Sequence, residues 1–304
     1  MRPPIARYRN ILTDSTRWDD IALRDGDIVI STAPKSGTTW MQMICALLIF
    51  QSTDFSRPLN AMSPWPDSLL HPREEIVAEL SAQRHRRFMK THTPLDGLPY
   101  DERVTYITVG RDPRDVAISW DNHLANTNFP TLMTLRAAAV GAEEAGGPPP
   151  GPLPEPPESA RDRFWLWVDG PEEMPGLPGM LHHLSTFWQM RDQPNVILLH
   201  YQEMKDDLEG TMRKLAARLG IEIPEKKWPE LVKAAGFGEM RRRADELAPD
   251  GRVWNDREQF FHRGISGQWR ELLDADDLRR YRDRVQELAD PQLVEWVHRE
   301  KIIS

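Results

Sequence analysis

The residues best suited to chemistry lie in a short polar segment between two apolar runs. Asp27–Thr32 is apolar and β-branched and follows Asp25-Gly26, a pattern typical of a buried strand after a turn. Thr39–Phe50 is long, apolar and free of glycine and proline, which predicts a buried helix. The segment between them, Ala33–Thr38, is therefore a loop at the start of a helix. Backbone N–H groups and the helix dipole favour an anion at such a position.

The residue types in this loop favour a phosphate or sulfate group. Lys35 supplies a positive charge, and Thr38 and Thr39 supply hydroxyl donors. Gly37 has no Cβ, so the backbone can approach an anion closely. The lysine precedes the glycine, unlike the nucleotide loop Gly-x-x-x-x-Gly-Lys-Ser/Thr, which argues against a metal-dependent triphosphatase. A capped helix with an exposed lysine is the alternative.

A second polar pair stands at the end of another predicted strand. His92 follows the strand Phe88–Thr91 and precedes a run of turn residues. Lys90 and His92 are two positions apart, so a strand places both side chains on the same side. A histidine there can take a proton at neutral pH, and a hydrogen-bonded structural histidine is the alternative.

An arginine and a serine follow the third predicted strand, Val104–Val109. Arg111 closes that strand, and Asp112-Pro113 has the residue types of a helix start. Ser119 lies eight residues after Arg111, about two turns into this helix. Both side chains can face the carboxyl edge of a parallel sheet, where open α/β sheets bind ligands. Taken alone, the pair is equally compatible with no function.

The order of the predicted elements indicates the fold class. Val196–His200 is a fourth strand, followed by a helical run that starts at Asp206-Asp207 and extends to Leu219. The last predicted helix, Ala275–Leu288, carries apolar residues on one face. Strands that alternate with helices predict an α/β protein with a central parallel sheet flanked by helices. We expect one domain over residues 1–304.

Composition narrows the class of protein. The chain has 304 residues, 39% hydrophobic and 28% charged, which excludes disordered and collagen-like classes. A net charge of −8 argues against a nucleic-acid partner. Cys45 is the only cysteine, which excludes an intramolecular disulfide and favours the cytoplasm. Met1–Asn10 lacks the apolar run of a signal peptide, and Met41–Phe50 is too short for a transmembrane anchor.

A Pro- and Gly-rich insertion is predicted at about residues 141–160, because these residue types sustain neither a helix nor a central strand. Residues 161–183 follow it, and their aromatic segment Phe164–Val168 is a candidate lid over an acceptor site. Ordinary core packing is the alternative for that segment. His71, His182 and His183 lack a matching carboxylate or cysteine pattern, so no metal site is predicted.

A basic turn near the C-terminus is a candidate for a second anion site. His262, Arg263 and Gly264 lie between the aromatic pair Phe260-Phe261 and Trp269. A solvated loop held by its aromatic neighbours is the alternative, since an arginine on a surface turn needs no function.

The motifs, in their order from Trp18 to Trp269, resemble those of the cytosolic sulfotransferase family, which uses 3′-phosphoadenosine 5′-phosphosulfate (PAPS) as sulfuryl donor. Pro34–Trp40 resembles the family's 5′-phosphosulfate loop almost letter for letter, and Lys90-Thr91-His92 resembles its Lys-Thr-His triplet. The resemblance implies a P-loop-like sulfotransferase fold. In detail the chain looks most like bacterial members of the actinobacterial type, some of which are described as glycolipid sulfotransferases.

The resemblance also implies a role for each matching residue. His92 would be the general base, and Lys90 and Lys35 would stabilise charge on the transferring group. Trp40 and Phe237 would sandwich the adenine. The implied catalytic residues are His92, Lys35, Lys90 and Ser119. The implied donor-binding residues are Lys35, Ser36, Gly37, Thr38, Thr39, Trp40, Arg111, Ser119, Tyr201, Phe237, His262, Arg263 and Gly264.

Three departures from the family pattern bear on the donor site and on assembly. His262 stands where the family has a phosphate-binding arginine, so we expect a weaker or pH-dependent affinity for the 3′-phosphate, or a substitution by Arg263. Ala235-Gly236 replaces the usual Thr-Ser pair and removes hydroxyl contacts to adenine. The dimerisation motif of animal members is not recognisable after Trp269, so the oligomeric state stays open.

The activity implied by the resemblance is in-line transfer of a sulfuryl group from PAPS to a hydroxyl acceptor, with PAP as product and no metal. A glycolipid or another bulky alcohol is the expected acceptor, and a phenol or a secondary-metabolite hydroxyl stays open. A lipid acceptor would bring a cytoplasmic enzyme to the inner membrane face. The alternatives are a PAP-binding protein without turnover and a phosphoryl-transfer enzyme on the same layout.

Overall fold

A four-stranded parallel sheet forms the centre of the molecule. The computed structural model describes residues 1–141, 155–172, 175–247, 251–261 and 264–299. The strands are β1 (Ile28–Ser31), β2 (Phe88–Thr91), β3 (Thr105–Gly110) and β4 (Val196–His200), in the order β2-β1-β3-β4. Each neighbouring pair is parallel. The predicted α/β class is confirmed, and each strand begins and ends within one residue of its predicted bounds.

The sheet buries both of its faces, as expected for parallel strands covered by helices. Ile28 and Ile30 of β1 belong to one hydrophobic cluster with the helix that follows them. Val29, on the opposite face, packs with Met89 and Tyr106 in a second cluster. This alternation follows the strand period of two. The strands are thereby fixed between two apolar layers, and their carboxyl ends form one edge.

Helices connect the strands and cover both faces. The helices are α1 (Thr38–Phe50), α2 (Leu59–Met62), α3 (Arg73–Ala82), α4 (Pro113–Ala125), α5 (Phe129–Val140), α6 (Ala160–Asp169), α7 (Leu177–Trp188), α8 (Tyr201–Asp206), α9 (Leu208–Arg218), α10 (Trp228–Ala235), α11 (Phe237–Arg242), α12 (Ala244–Leu247), α13 (Ala275–Leu288) and α14 (Pro291–His298). Short 3₁₀ helices span Ser15–Asp20, Leu95–Gly97, Glu225–Lys227, Gly251–Val253, Glu258–Phe261 and Gln268–Glu271. Helix α1 contacts β1 and β2, and α7 contacts β3 and β4.

Aspartate caps determine where two of these helices begin. Asp112 is the N-cap of α4, and its side chain accepts a hydrogen bond from Arg114 N at 3.0 Å. The predicted start of this helix is confirmed. The helical run predicted from Asp206-Asp207 to Leu219 is confirmed as α9, and the short helix α8 before it was not predicted. Asp207 caps α9 by accepting from Gly210 N at 2.8 Å, which starts a new helix at Leu208.

The chain carries a helix beyond the one predicted to be last. The predicted helix is confirmed as α13, but α14 follows it with Asp290 as N-cap. Trp296 of α14 packs against Gly110 at the end of β3. The His200 ring, at the end of β4, donates through Nε2 to Val297 O at 3.0 Å. Helix α14 therefore lies against the ends of β3 and β4.

The aromatic segment of α6 packs in the core. Phe164, Trp165, Trp167 and Val168 are buried in a cluster with residues of α4, α7, α13 and α14. Leu166 is 63% exposed. Four of the five residues of Phe164–Val168 are therefore buried, as expected from core packing, the alternative to a lid. Residues 142–154 of the Pro- and Gly-rich insertion lie outside the described residues.

Gly110→Ala is expected to lower the free energy of unfolding by about 1–3 kcal/mol. A Cβ at Gly110 would overlap the Trp296 indole, so the strand end or α14 has to move. Urea unfolding followed by circular dichroism measures the change. Gly238→Ala is the matched control, because a Cβ there has no heavy atom within 4 Å. Equal unfolding midpoints for the two variants would contradict the packing of Trp296 on Gly110.

Candidate functional site

The loop between β1 and α1 adopts a conformation that few residue types tolerate. Lys35 has a φ of 66° and Gly37 a φ of 104°, both in the left-handed region. A Cβ at Gly37 would lie 3.1 Å from Tyr201 Cδ2. Glycine therefore lets the loop pass close to the Tyr201 ring. The free N–H groups at the start of α1 lie in this region, as the sequence predicts.

Two buried polar atoms beside this loop have no hydrogen-bond partner among the described residues: Ser36 Oγ and Arg111 Nε. The Arg111 guanidinium also donates to Lys35 O at 2.8 Å and lies 4.4 Å over the Tyr201 ring. By contrast, Thr38 Oγ1 is hydrogen-bonded to Thr32 Oγ1 at 2.6 Å. Buried polar atoms without partners are rare in folded proteins. Two of them beside one helix N-terminus suit a polar, anionic ligand.

The Lys35 ammonium lies among other positive and aromatic groups. Its Nζ is 3.3 Å from His123 Nδ1 and 5.1 Å from the centroid of the Phe260 ring. Burial, followed by the nearby charges of Arg111 and Lys90, lowers the pKa of Lys35 to about 7. An anion beside Lys35 would favour its protonated form and raise that pKa again. The loop lysine is therefore prepared to gain charge when an anion binds.

Lys90 and His92 lie together at the end of β2, as their spacing predicts. The Lys90 Nζ is 4.1 Å over the Trp65 ring, whose edge contacts the His92 ring at 5.2 Å between centroids. His92 Nδ1 donates to Thr32 O at 2.8 Å. Burial, with the charges of Lys90 and Lys35, lowers the pKa of His92 to about 3. The ring is therefore neutral at physiological pH, and its Nε2 presents an unprotonated lone pair.

His123 is a site residue that the sequence analysis missed. Its Nδ1 accepts from Lys35, and its ring lies against Trp120 and Trp254, with centroids 5.4 and 4.9 Å away. Burial, with the charge of Lys35, lowers the pKa of His123 to about 2. His123 lies one helical turn after Ser119 on α4, so the two share a face. That spacing was the only sequence feature that could have pointed to it.

The residues matched to the adenine side come from three separate helices. Trp40 Nε1 donates to Ala235 O at 2.8 Å, and the Trp40 ring meets Tyr201 edge-on at 5.2 Å. Phe237 packs against the same cluster and contacts Phe261, with ring centroids 6.4 Å apart. The fold thus brings Trp40, Tyr201 and Phe237 into one cluster beside the loop.

The C-terminal turn is held by the helix that starts after Arg111. Gly267 N donates to both carboxylate oxygens of Asp115, at 2.8 and 3.0 Å. The Arg114 guanidinium lies 3.7 Å over the Trp269 ring. A Cβ at Gly264 would lie 2.8 Å from Phe237, so the turn reaches that aromatic ring. The predicted anion ligands His262 and Arg263 lie outside the described residues.

Comparison with known proteins decides the family. A family model described as "Sulfotransferase domain" matches residues 25–295. A glycolipid sulfotransferase of Mycobacterium bovis is 43% identical over 310 residues, covering 96% of this chain and 93% of the relative. The chain belongs to the sulfotransferase family. A glycolipid sulfotransferase of Mycobacterium tuberculosis is also 43% identical, over 306 residues, with the same coverage of both chains. Sulfotransferase 1E1 of Cavia porcellus is 25% identical over 83% of this chain and 80% of its own.

Solved structures confirm the sulfotransferase fold. Mouse sulfotransferase SULT7A1, solved with PAP, superposes with a TM-score of 0.69 at 19% identity and covers 94% of this chain and 93% of its own. Retinol dehydratase with androsterone and PAP gives a TM-score of 0.65 at 19% identity, covering 90% and 85% of the two chains. The implied fold is thereby confirmed.

Two further observations describe this sulfotransferase. Among the described residues there is no group of three or more His, Cys, Asp or Glu side chains arranged to hold a metal ion. No helix in those same ranges is long and apolar enough to cross a membrane.

Proposed function

We propose that this sulfotransferase moves a sulfuryl group from PAPS to a sugar hydroxyl of a glycolipid. The observation that carries the proposal is that Lys35, Lys90 and a neutral His92 lie close enough at one edge of the sheet for each lysine charge to act on the other two groups. The 43% identity to mycobacterial glycolipid sulfotransferases supports the acceptor class. If the acceptor is a lipid, the enzyme meets it in peripheral contact with the inner membrane face.

The residues beside the loop are suited to bind PAPS. Ser36 Oγ and Arg111 Nε are buried without partners, and the loop backbone approaches closely at Gly37. We assign the 5′-phosphosulfate to the segment Lys35, Ser36, Gly37, Thr38 and Thr39, and the 3′-phosphate to Arg111 and Ser119. We assign the adenine to Trp40, Tyr201 and Phe237. His262, Arg263 and Gly264 are proposed to complete the phosphate contacts.

The mechanism follows from the charges and proton positions of the site. PAPS supplies the sulfuryl group, and its PAP portion leaves. Thr32 O fixes the His92 tautomer, so Nε2 can take the proton from the acceptor hydroxyl. Lys35 and Lys90 stabilise the negative charge that develops during transfer. Partial exclusion of water strengthens these interactions.

A transfer assay with three acceptors of equal alkyl length tests this function. Purified protein is incubated with radiolabelled PAPS and octyl glucoside, 1-octanol or 4-octylphenol, and labelled lipid is counted. We expect transfer to octyl glucoside and much slower transfer to the other two. Faster labelling of the phenol would refute the glycolipid proposal, and labelling of none would support a PAP-binding protein without turnover.

A further inference from the structure

The segment Ser63–Ser68 follows the free edge of β2 and contacts Lys90 and His92. Lys90 N donates to Pro64 O at 3.0 Å, which holds the segment beside the strand. The Trp65 ring contacts both the Lys90 ammonium and the His92 ring. This segment therefore supports the strand end from the side opposite β1.

One carboxylate in this segment binds the chain on both sides of His92. Asp67 is fully buried, and its Oδ2 accepts from Thr91 Oγ1 at 2.7 Å and from Thr93 Oγ1 at 2.5 Å. Thr91 Oγ1 itself accepts from Thr93 N at 3.0 Å, so its own hydrogen is the one given to Asp67. An oxygen that accepts two hydroxyls carries no proton. Asp67 therefore fixes the residues immediately before and after His92.

Burying a carboxylate is costly, and an apolar side chain would fill the same space without that cost. Burial raises the pKa of Asp67, and the hydroxyls of Thr93 and Thr91 oppose the rise. The segment is also tied to the N-terminal region, because Asp14 N donates to Asp67 O at 2.9 Å. A buried acid held in this way beside a reactive histidine suits a role in the reaction.

We propose that Asp67 is a positioning residue for sulfuryl transfer, holding Thr91 and Thr93 so that His92 Nε2 and the Lys90 ammonium keep their places beside the loop Ala33–Gly37. The inference rests on the proposed function. Asp67 contacts the two threonines and acts on His92 through them.

Asp67 also acts on the charge of Lys90. Burial lowers the pKa of Lys90 to about 8, and the Asp67 carboxylate opposes that change. The other titratable groups coupled to this cluster are Lys35, His92, His123, Arg111 and His183. Removing the Asp67 charge leaves Lys90 with positive or neutral neighbours, so its pKa falls further.

Asp67→Asn keeps the shape of the side chain and removes its charge, so the hydrogen bonds from Thr91 and Thr93 lose their charge assistance and hold the two residues less firmly. We expect kcat for octyl glucoside to fall by about 10- to 10²-fold, the size of a small misplacement of a catalytic group. The KM for PAPS and the Kd for PAP should stay within about twofold of wild type, because the donor contacts are unchanged. The alkaline limb of the kcat profile should move to lower pH, because Lys90 loses its proton earlier.

Thr93→Val and Thr93→Ser form the matched control pair. Valine removes one hydroxyl and should lower kcat without moving the alkaline limb, whereas serine keeps the hydroxyl and should restore wild-type kcat. If Asp67→Asn does not fold, this pair alone decides the positioning role. Native kcat in Asp67→Asn, or equal kcat in the valine and serine variants, would overturn the inference. Absence of transfer by the wild type would instead overturn the proposed function.

Discussion

His92→Ala is expected to lower turnover by about 10²- to 10⁴-fold, the usual contribution of a general base. His92 Nδ1 is committed to Thr32 O, so Nε2 is the ring atom that can take the proton. Burial and the charges of Lys90 and Lys35 lower the pKa of His92 to about 3, and an anion bound beside those lysines raises it again. Alanine removes the proton acceptor and leaves the loop and Arg111 in place. The measurement is single-turnover transfer from labelled PAPS to octyl glucoside, with PAP affinity determined by calorimetry.

Two controls separate lost chemistry from lost structure. His92→Gln retains an amide that can donate to Thr32 O but provides no base, so its turnover should fall as far as that of the alanine variant. PAP should bind both variants with a Kd within about twofold of wild type. Turnover at the native rate in either variant would show that another group takes the proton.

Lys35→Met is expected to lower turnover by about 10²- to 10³-fold, because it removes a positive charge that stabilises the transferring sulfuryl group. It should also change how PAP binding depends on pH. The pKa of free Lys35 is about 7, and an anion beside it favours the protonated form. Above pH 7 wild-type binding therefore takes up a proton, and affinity falls as pH rises.

The size of this effect follows from linkage. One coupled proton lowers PAP affinity by at most about tenfold per pH unit. Between pH 7 and 8 this slope should belong mainly to Lys35, because the pKa of Lys90 lies higher, at about 8. Calorimetry at several pH values measures it, with Lys214→Met, an exposed lysine on α9, as the control. An unchanged slope in Lys35→Met would argue against this role for the loop lysine.

The sheet and its edge could be predicted because local sequence patterns determine them. Short β-branched runs such as Ile28–Ser31 can be recognised as strands from the sequence. In a parallel sheet the carboxyl ends of these strands share one edge. The loop around Gly37 and the helix start at Asp112 depend on neighbouring residue types alone. For the same reason Lys35, His92 and Arg111 could be placed together before any contact was known.

Other features depend on contacts between distant segments. Asp67 lies 24 and 26 residues before the threonines that it holds, so no local pattern indicates the pairing. His123 reaches Lys35 only because α4 packs beside the loop. The pKa shifts of Lys35 and His92 arise chiefly from burial, which periodicity cannot supply. Helix α14 has only 8 residues, too few for a clear apolar period, and its packing against the ends of β3 and β4 depends on the tertiary fold.

Calorimetric titration of the purified protein with PAP, beside ADP and Mg-ATP, shows whether the site recognises the sulfuryl donor. We expect PAP to bind tightly without metal, because its phosphates contact the start of α1, Lys35 and Arg111. We expect ADP and Mg-ATP to give little heat. Preference for Mg-ATP, or equal binding of ADP and PAP, would contradict a site that recognises the 3′-phosphate of the sulfuryl donor.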